Sequence, residues 1–159
     1  MISKTLKSLA ILLSFSAASF AQQSGYWQQK VDYTMDVDVN VKDFTYTGTQ
    51  HLVYTNNSPD VLNKVYYHLY YNAFQPGSEM DIRLQNIADP DGRMITEDKK
   101  SRIASLTPDQ IGYLHLSNVK QDGVEVLVNE EGTIAKIVLQ QPILPGASTT
   151  FDLEFSGQL

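Results

Sequence analysis

Hydrophobic and polar residues alternate along much of the chain with a period of two, which is the pattern of β-strands that have one buried face and one exposed face. From residue 31 to residue 41 every odd position is apolar, and the even positions between them are polar or charged. The pattern predicts a first strand over 31–42 with one buried face. The apolar residues of that face are Val31, Tyr33, Met35, Val37, Val39 and Val41.

Two further strands are predicted before residue 75. Phe44, Tyr46 and residues 52–55 continue as a second strand, in which Gly48 is expected to mark a bulge or bend. Residues 56–60, Asn-Asn-Ser-Pro-Asp, form a dense turn signal. A third strand is predicted from Lys64 to about residue 74, and its segment 65–71 is apolar or aromatic on both faces. Such a segment is typical of a strand covered on both sides, so it is expected at the centre of the sheet.

The second half of the chain returns to short strands after a long interruption. Residues 75–105, called the excursion below, are rich in Pro, Gly and charged residues and are expected to form a loop with one helical turn over 80–87. Loops of this length are commonly functional or packed on another domain. Strands are then predicted at 113–119, 124–128, 135–139 and 150–155, with turns at 121–123, 130–132 and 144–146. The fold predicted is all-β, an antiparallel curved sheet or sandwich of seven or eight strands.

The first 21 residues have the organisation of a secretory signal. Lys4 and Lys7 precede an apolar stretch at 9–15, and Ser19 and Ala21 place small residues at the −3 and −1 positions of a cleavage site. The stretch is shorter than the roughly 20 residues that span a bilayer. The prediction is a signal peptide over 1–21 and a mature domain over 22–159, exported to the periplasm or outside of a Gram-negative bacterium and without a transmembrane segment. A short N-terminal anchor is the alternative.

Composition excludes several classes of function. The chain carries 12 Lys and Arg against 18 Asp and Glu, a net charge of −6 at pH 7, which argues against nucleic acid as a partner. It contains no cysteine. Disulfides, thiolate metal sites and nucleophilic cysteine chemistry are therefore excluded.

Histidines and carboxylates are the remaining candidates for a metal or catalytic site. His51, His68 and His115 do not form an H-E-x-x-H motif and are interpreted as hydrogen-bonded residues of the sheet. His68 is expected to share a strand face with two tyrosines. Neither a Gly-x-Ser-x-Gly motif nor a Gly-rich phosphate loop is present. No catalytic, cofactor-binding or metal-binding residue is predicted within these 159 residues.

Acidic and aromatic residues each have a structural and a functional interpretation. Asp32, Asp36 and Asp38 are interpreted as the solvated face of the first strand, with a calcium site as the alternative. Residues 89–92, Asp-Pro-Asp-Gly, are interpreted as a turn, since the other ligands of a calcium loop are missing. Nine tyrosines and Trp27 raise the possibility of sugar stacking. Five of the tyrosines lie in predicted strands and are expected to pack in the core: Tyr46, Tyr54, Tyr66, Tyr67 and Tyr70.

Several blocks of the chain resemble the start of exported zinc metallopeptidases of peptidase family M1. They are residues 26–35 (YWQQKVDYTM), 46–48 (YTG), 52–62 (LVYTNNSPDVL) and 68–74 (HLYYNAF). The stretch 112–123 and the turn 144–146 follow in the same order. The resemblance covers most of residues 26–157, and it is closest to alanyl aminopeptidases of the form found in Bacteroidetes-like bacteria.

In that family this region is the N-terminal, saddle-like β domain, which packs on a thermolysin-like catalytic domain. The resemblance implies that the zinc ligands (H-E-x-x-H and a later Glu) and the Gly-x-Met-Glu-Asn motif belong to the catalytic domain, and this sequence contains neither motif. The chain is thus interpreted as a fragment that binds no cofactor, with zinc expected in the missing domain.

Two functions from different classes follow. The first is a non-catalytic docking domain of a zinc aminopeptidase, whose partner is its own catalytic domain and whose excursion helps to line the substrate cavity for peptides. The second is a stand-alone exported β-sandwich module that binds carbohydrate or envelope partners.

Overall fold

A computed structural model describes residues 26–159, so the predicted signal peptide lies outside the described residues and stays a prediction. Within them are eight strands and one α-helix. The strands are β1 (Lys30–Asn40), β2 (Thr45–Thr55), β3 (Leu62–His68), β4 (Tyr113–Gln121), β5 (Val124–Glu125), β6 (Val128–Glu131), β7 (Ile134–Ile143) and β8 (Ser148–Gln158). The helix α1 spans Glu79–Asn86, and 3₁₀ turns span Tyr70–Phe74, Ile103–Ser105 and Pro108–Gln110. The all-β prediction is confirmed.

The strands form two antiparallel sheets that share one hydrophobic core. The large sheet has the order β1-β2-β8-β4-β5, and the small sheet has the order β3-β7-β6. Residues of both sheets contribute to the core because each sheet turns the apolar half of its alternating pattern toward the other. Its members are Leu52, Leu116, Val119, Phe151 and Leu153 from the large sheet, Val65, Ala135, Ile137 and Ile143 from the small sheet, and Leu69.

The prediction of a buried apolar face on the first strand is wrong, although the strand itself is present. All eleven residues of β1 are exposed. β1 lies at the edge of the large sheet, and only β2 pairs with it among the described residues. Alternation shows that one face of a strand is apolar, but it does not show that another element covers that face.

The hairpin between β1 and β2 differs from its prediction at two positions. Phe44 belongs to the turn rather than to the second strand, since it has a left-handed backbone (φ 54°) and is exposed. The Asn40 side-chain oxygen accepts a hydrogen bond from the Lys42 amide over 3.0 Å within this turn. Gly48 marks no bulge, because its pairing with β1 and with β8 continues without a shift in register.

The prediction that the third strand forms the centre of the sheet is also wrong. β3 ends at His68, where the chain enters the 3₁₀ turn, and β3 is an edge strand that pairs with β7 alone in the described chain. Tyr66, in the middle of the strand, is 52% exposed. Tyr66 and Tyr70 of this run therefore lie at an open margin of the fold rather than between two covering layers.

The strand predicted over 124–128 is two strands in different sheets. β5 closes a short hairpin with β4, whereas β6 pairs with β7. The crossing takes place over two residues: the Val126 amide still donates to the Val119 carbonyl, and the Leu127 carbonyl already accepts from Val138. Apolar residues follow Glu125 without interruption from Val126 to Val128, so the local pattern contains no signal for the change of sheet.

The helical turn predicted in the excursion is confirmed as α1. Ser78 caps the helix, its hydroxyl accepting a hydrogen bond from the Asp81 amide over 3.2 Å. The buried Asp81 carboxylate accepts from the Gly77 amide and from Gln85 Nε2, both over 2.9 Å. Burial acts to raise the pKa of Asp81, but polar contacts with Ser101, Gly77 and Gln85 outweigh burial and hold that pKa below its usual value. Asp81 therefore fixes the start of the excursion as an ionised group.

Replacing Asp81 with asparagine is expected to loosen the excursion without unfolding the sheets. An amide offers one acceptor in place of two, so one donor loses its bond at a local cost of about 1–3 kcal/mol. Amide hydrogen exchange over 77–86 should accelerate tenfold or more. In the unaltered chain, ionised Asp81 adds to the local free energy of unfolding at pH values above the pKa that it has in the unfolded state. This contribution is lost as the pH falls through the lower pKa of the folded state. The Asp81→Asn variant should not show this pH-dependent loss. Asp89→Asn, at an exposed site of the same excursion, is the control, and equal protection in both variants would contradict this role.

Candidate functional site

A groove of about 490 Å³ lies between the two sheets on the side where β1 and β3 form their margins. We call it the open groove. Most of its lining is apolar or aromatic and comes from both sheets and from the start of the 3₁₀ turn. The lining residues are Val31, Tyr33, Met35, Tyr46, Gln50, Leu52, Tyr54, Val65, Tyr66, Tyr67, His68, Leu69, Tyr70, Leu114, Leu116, Phe151, Leu153 and Phe155.

One wall of the groove is the apolar face of β1. In the antiparallel register Tyr33 lies opposite Leu52, and Val37 opposite Gly48. Opposite residues of an antiparallel pair share a face, so β1 extends the apolar surface of β2 and β8 beyond the core. Tyr33 is 55% exposed and Val37 is 52% exposed. This apolar margin has no covering element among residues 26–159.

The floor of the groove contains one polar pair. Gln50 is buried, and its Nε2 donates to the Tyr67 hydroxyl over 3.2 Å. Burial, followed by the nearby Tyr33, raises the pKa of Tyr67 far above its usual value, and the Gln50 bond offsets only part of this rise. The phenol therefore stays neutral. A floor without ionised groups suits apolar and aromatic side chains better than charged ligands.

The β3 margin of the groove is aromatic. The rings of His68 and Tyr70 stack with centroids 5.2 Å apart and an angle of 10° between their planes. Tyr66 lies beneath the Lys64 ammonium, which is 5.8 Å from the ring centroid. The expectation that the strand tyrosines pack in the core fails for Tyr66 and Tyr70, which are exposed, and Tyr70 lies beyond the strand in the 3₁₀ turn. The other three, Tyr46, Tyr54 and Tyr67, are partly buried.

The opposite side of the fold is closed by Glu130 of β6. One carboxylate oxygen accepts from the Leu116 amide over 2.9 Å, and the other contacts His115 Nδ1 at 2.8 Å. Both partners lie on β4, so a single side chain of the small sheet binds β4 of the large sheet at residues that do not pair with β5. The two sheets are tied at the β4–β6 side and remain apart at the β1–β3 side.

The face of the large sheet that points away from the small sheet is polar, and we call it the outer face. His51 contacts Asp152 there, with 2.6 Å between Nδ1 and Oδ1. His51 and His115 are thus hydrogen-bonded residues of the sheet, as interpreted from the sequence. Asp32, Asp36 and Asp38 also lie on this face, on the even positions of β1. No group of three His, Asp or Glu residues in the described range could hold a metal ion.

The turn at 56–60 is a structural corner rather than a binding loop. The Asn56 side chain is fully buried, and its Nδ2 donates to the carbonyls of Asp60 (2.7 Å) and Ile143 (3.0 Å). Its Oδ1 accepts from Ser58 Oγ (2.6 Å) and Gln29 Nε2 (3.1 Å). The Asn-Asn-Ser sequence matches a glycosylation motif, but the side chain of its first residue, Asn56, is buried and hydrogen-bonded within the fold.

The excursion lies apart from the open groove, since none of its residues lines it. It contacts the rest of the chain through polar bonds such as Gln75 Nε2 to the Gly112 carbonyl at 3.3 Å. Its buried Leu84 and Ile103 lie outside the main core. The expectation that the excursion lines a substrate cavity stays a prediction. No helix among the described residues is long and apolar enough to cross a bilayer.

Sequence reasoning missed the open groove, the Asn56 corner and the Glu130 contact. Gln50 carried a usable signal, because it is polar at a position of β2 whose neighbours on the same face are apolar. The contact of Glu130 with β4 had no local signal, because it depends on the packing of two sheets.

Comparison with protein-family models gives no match, and comparison with curated proteins gives none either. Solved structures that align with this chain include M1 zinc metallopeptidases. A two-domain M1 zinc metallopeptidase mutant bound to L-tryptophan aligns with a TM-score of 0.49 and 12% identity, over 84% of this chain and 21% of its own. The M1 zinc metallopeptidase of Deinococcus radiodurans aligns with a TM-score of 0.48 and 12% identity, over 82% and 20%. This chain therefore spans about a fifth of the length of these metallopeptidases.

Proposed function

We propose that the chain is the non-catalytic N-terminal domain of an exported zinc aminopeptidase of family M1, and that its task is to pack on the catalytic domain. The observation that carries the docking role is the uncovered apolar face of β1 beside the open groove. The family, the zinc and the peptide substrates are inferred from the sequence resemblance, as is the relation to Bacteroidetes-like enzymes. Export to the periplasm or beyond is inferred from the predicted signal peptide.

The exposed face has the chemistry of a domain interface. Its apolar side chains extend the core surface without a break, because β1 and β2 pair in register over eleven residue pairs. Contiguous apolar surface of this kind is characteristic of interaction sites, and interfaces between domains of one chain commonly bury about 600–1,500 Å². Covering β1 and filling the groove would remove Tyr33, Met35 and Val37 from water.

The alternative of a stand-alone carbohydrate-binding module has no separate site to support it. The exposed tyrosines Tyr66 and Tyr70 line the same apolar groove as β1. A sugar site needs hydrogen-bonding side chains around the aromatic rings on which the sugar stacks. In the floor of this groove the polar side chains of Gln50 and Tyr67 are hydrogen-bonded to each other.

The deciding experiment is to sequence the gene beyond the codon for Leu159. The proposal expects an open frame that encodes H-E-x-x-H followed by a distal Glu. A stop codon directly after Leu159 in the intact gene would overturn it and favour the binding module.

In the longer protein, Met35→Glu is expected to lower aminopeptidase activity about tenfold by placing a charge in the docked interface. Thr34→Glu places the same charge on the outer face one residue away, so it serves as the matched control. Activity on an aminoacyl-nitroanilide and hydrogen exchange of β1 are the two measurements. Equal activity in both variants would contradict docking through the groove-facing side of β1.

A further inference from the structure

The free edge of β1 is a second feature of the apolar margin. β1 is eleven residues long, and β2 is its only paired neighbour in the described chain. In an antiparallel ladder every second residue directs both its amide and its carbonyl away from the partner strand. The outward-directed backbone groups of β1 can therefore pair with another extended segment.

The two faces of β1 differ in a way that specifies what could pair with it. The odd residues are apolar and lie on the groove side of the sheet, where Val31, Tyr33 and Met35 line the open groove, whereas the outer face carries acids. Lys30 Nζ lies 2.8 Å from an Asp32 carboxylate oxygen. Asp36 and Asp38 form no ion pair with any residue of 26–159, and Thr49 and Thr47 lie opposite them on β2. Two exposed carboxylates thus lie beside the free edge without a basic side chain of residues 26–159 paired to them.

A second copy of the chain is a poor occupant of this edge. Antiparallel pairing of two β1 strands about Met35 would place Asp32 opposite Asp38 of the other copy. Pairing about Asp36 would place that residue opposite itself. Like charges in directly opposite positions destabilise a strand pair, so the acids oppose self-association.

We propose that β1 receives an extended segment of a partner polypeptide in which apolar residues alternate with lysine or arginine. The apolar residues of this segment continue the groove-facing surface, and its basic residues lie beside Asp36 and Asp38 on the outer face. The segment adds a sixth strand to the large sheet. This inference rests on the docking function proposed above, because it names the chemistry of the segment that covers the same margin.

The test uses the 159-residue chain and an 11-residue peptide in which six valines alternate with five lysines. Two control peptides replace the lysines with glutamates, or keep the composition with the lysines in one block. Affinity is measured by fluorescence anisotropy, and the site by hydrogen exchange of β1 amides. The alternating lysine peptide is expected to bind and to protect β1, whereas both controls should bind at least tenfold more weakly.

The double variant Asp36→Lys and Asp38→Lys should reverse the preference between the lysine and glutamate peptides. It is expected to bind the lysine peptide about tenfold more weakly, because each cross-strand charge pair contributes a few-fold. Both positions are exposed, so the fold is expected to be retained. The control variant Asp89→Lys and Glu97→Lys makes the same change of net charge in the excursion and should bind as the unaltered chain does.

Binding that ignores the sign of the peptide charge, or that leaves β1 amides unprotected, would overturn strand addition while leaving docking at the groove intact. Equal weakening by the two double variants would also overturn it, because net charge alone would then explain the affinity. The proposed peptidase parent is decided separately by the downstream gene sequence.

Discussion

Replacing Asn56 with alanine is expected to lower the free energy of unfolding by about 3 kcal/mol. The substitution removes the side-chain amide that donates hydrogen bonds to the carbonyls of Asp60 and Ile143. It also removes the oxygen that accepts a hydrogen bond from the Ser58 hydroxyl. Each buried polar group left without a partner costs about 1–3 kcal/mol. The corner also joins distant parts of the chain, since the Asn56 backbone bonds to Ala147 and Gly146 of the β7–β8 turn.

Asn57 provides a matched control for this prediction. It is the next residue and the same amino acid, but it is exposed, and within residues 26–159 its side chain donates only to the Gln28 carbonyl, over 2.9 Å. Asn57→Ala should cost less than about 1 kcal/mol. Asn56→Asp keeps the shape of the side chain but directs an acceptor at two carbonyls, so it should destabilise as strongly as alanine. Urea unfolding measures all three variants, and similar midpoints for the two alanine variants would refute the central role of Asn56.

Gly48→Ala is expected to destabilise the protein by about 3 kcal/mol, although it adds a single methyl group. A Cβ at this position would overlap the Asp36 carbonyl and lie 2.5 Å from the edge of the Phe155 ring. Overpacking of this kind costs roughly 1–3 kcal/mol, and here one of the obstructing atoms is backbone. The glycine is required because β1 and the ring of Phe155 approach β2 closely, and not because the strand bends.

Gly92 is the matched control, because a Cβ there would meet no atom within 4 Å and its backbone is not left-handed. Gly92→Ala should change stability by less than about 0.5 kcal/mol. Adding Phe155→Leu to Gly48→Ala should recover part of the loss by making room, so the two changes should not be additive. Thermal unfolding of the unaltered chain, Gly48→Ala, Phe155→Leu and the double variant gives this coupling. A Gly48→Ala variant as stable as Gly92→Ala would show that the strands can separate without cost.

The sequence predicts strands better than it predicts what covers them. Alternation located β1 because side-chain direction follows from backbone geometry alone. It placed β1 in the core wrongly, because coverage depends on where β3 and β7 lie. The apolar run 65–71 led to the opposite error, since aromatic residues at an open groove have the same composition as residues of a central strand.

The candidate site shows the same division between local and distant information. Gln50 was detectable as a polar residue on an apolar face, but its partner Tyr67 lies on another sheet. The contact of Glu130 with β4 joins residues that lie fourteen positions apart across the sheet-to-sheet crossing. The periodicity of a sequence does not indicate which strands of different sheets contact each other. These two contacts are therefore known only from the three-dimensional structure.

The corner formed by Asn56 has a consequence for how relatives of this chain are recognised. One of the blocks that carry the family resemblance, residues 52–62, contains Asn56, which holds the end of β2 against the β7–β8 turn through buried amide bonds. Because these bonds are structural, a match to Asn-Asn-Ser-Pro-Asp indicates this corner and carries no information about peptide cleavage. Assigning an activity to any such chain requires a separate signature, taken from the domain where the chemistry occurs.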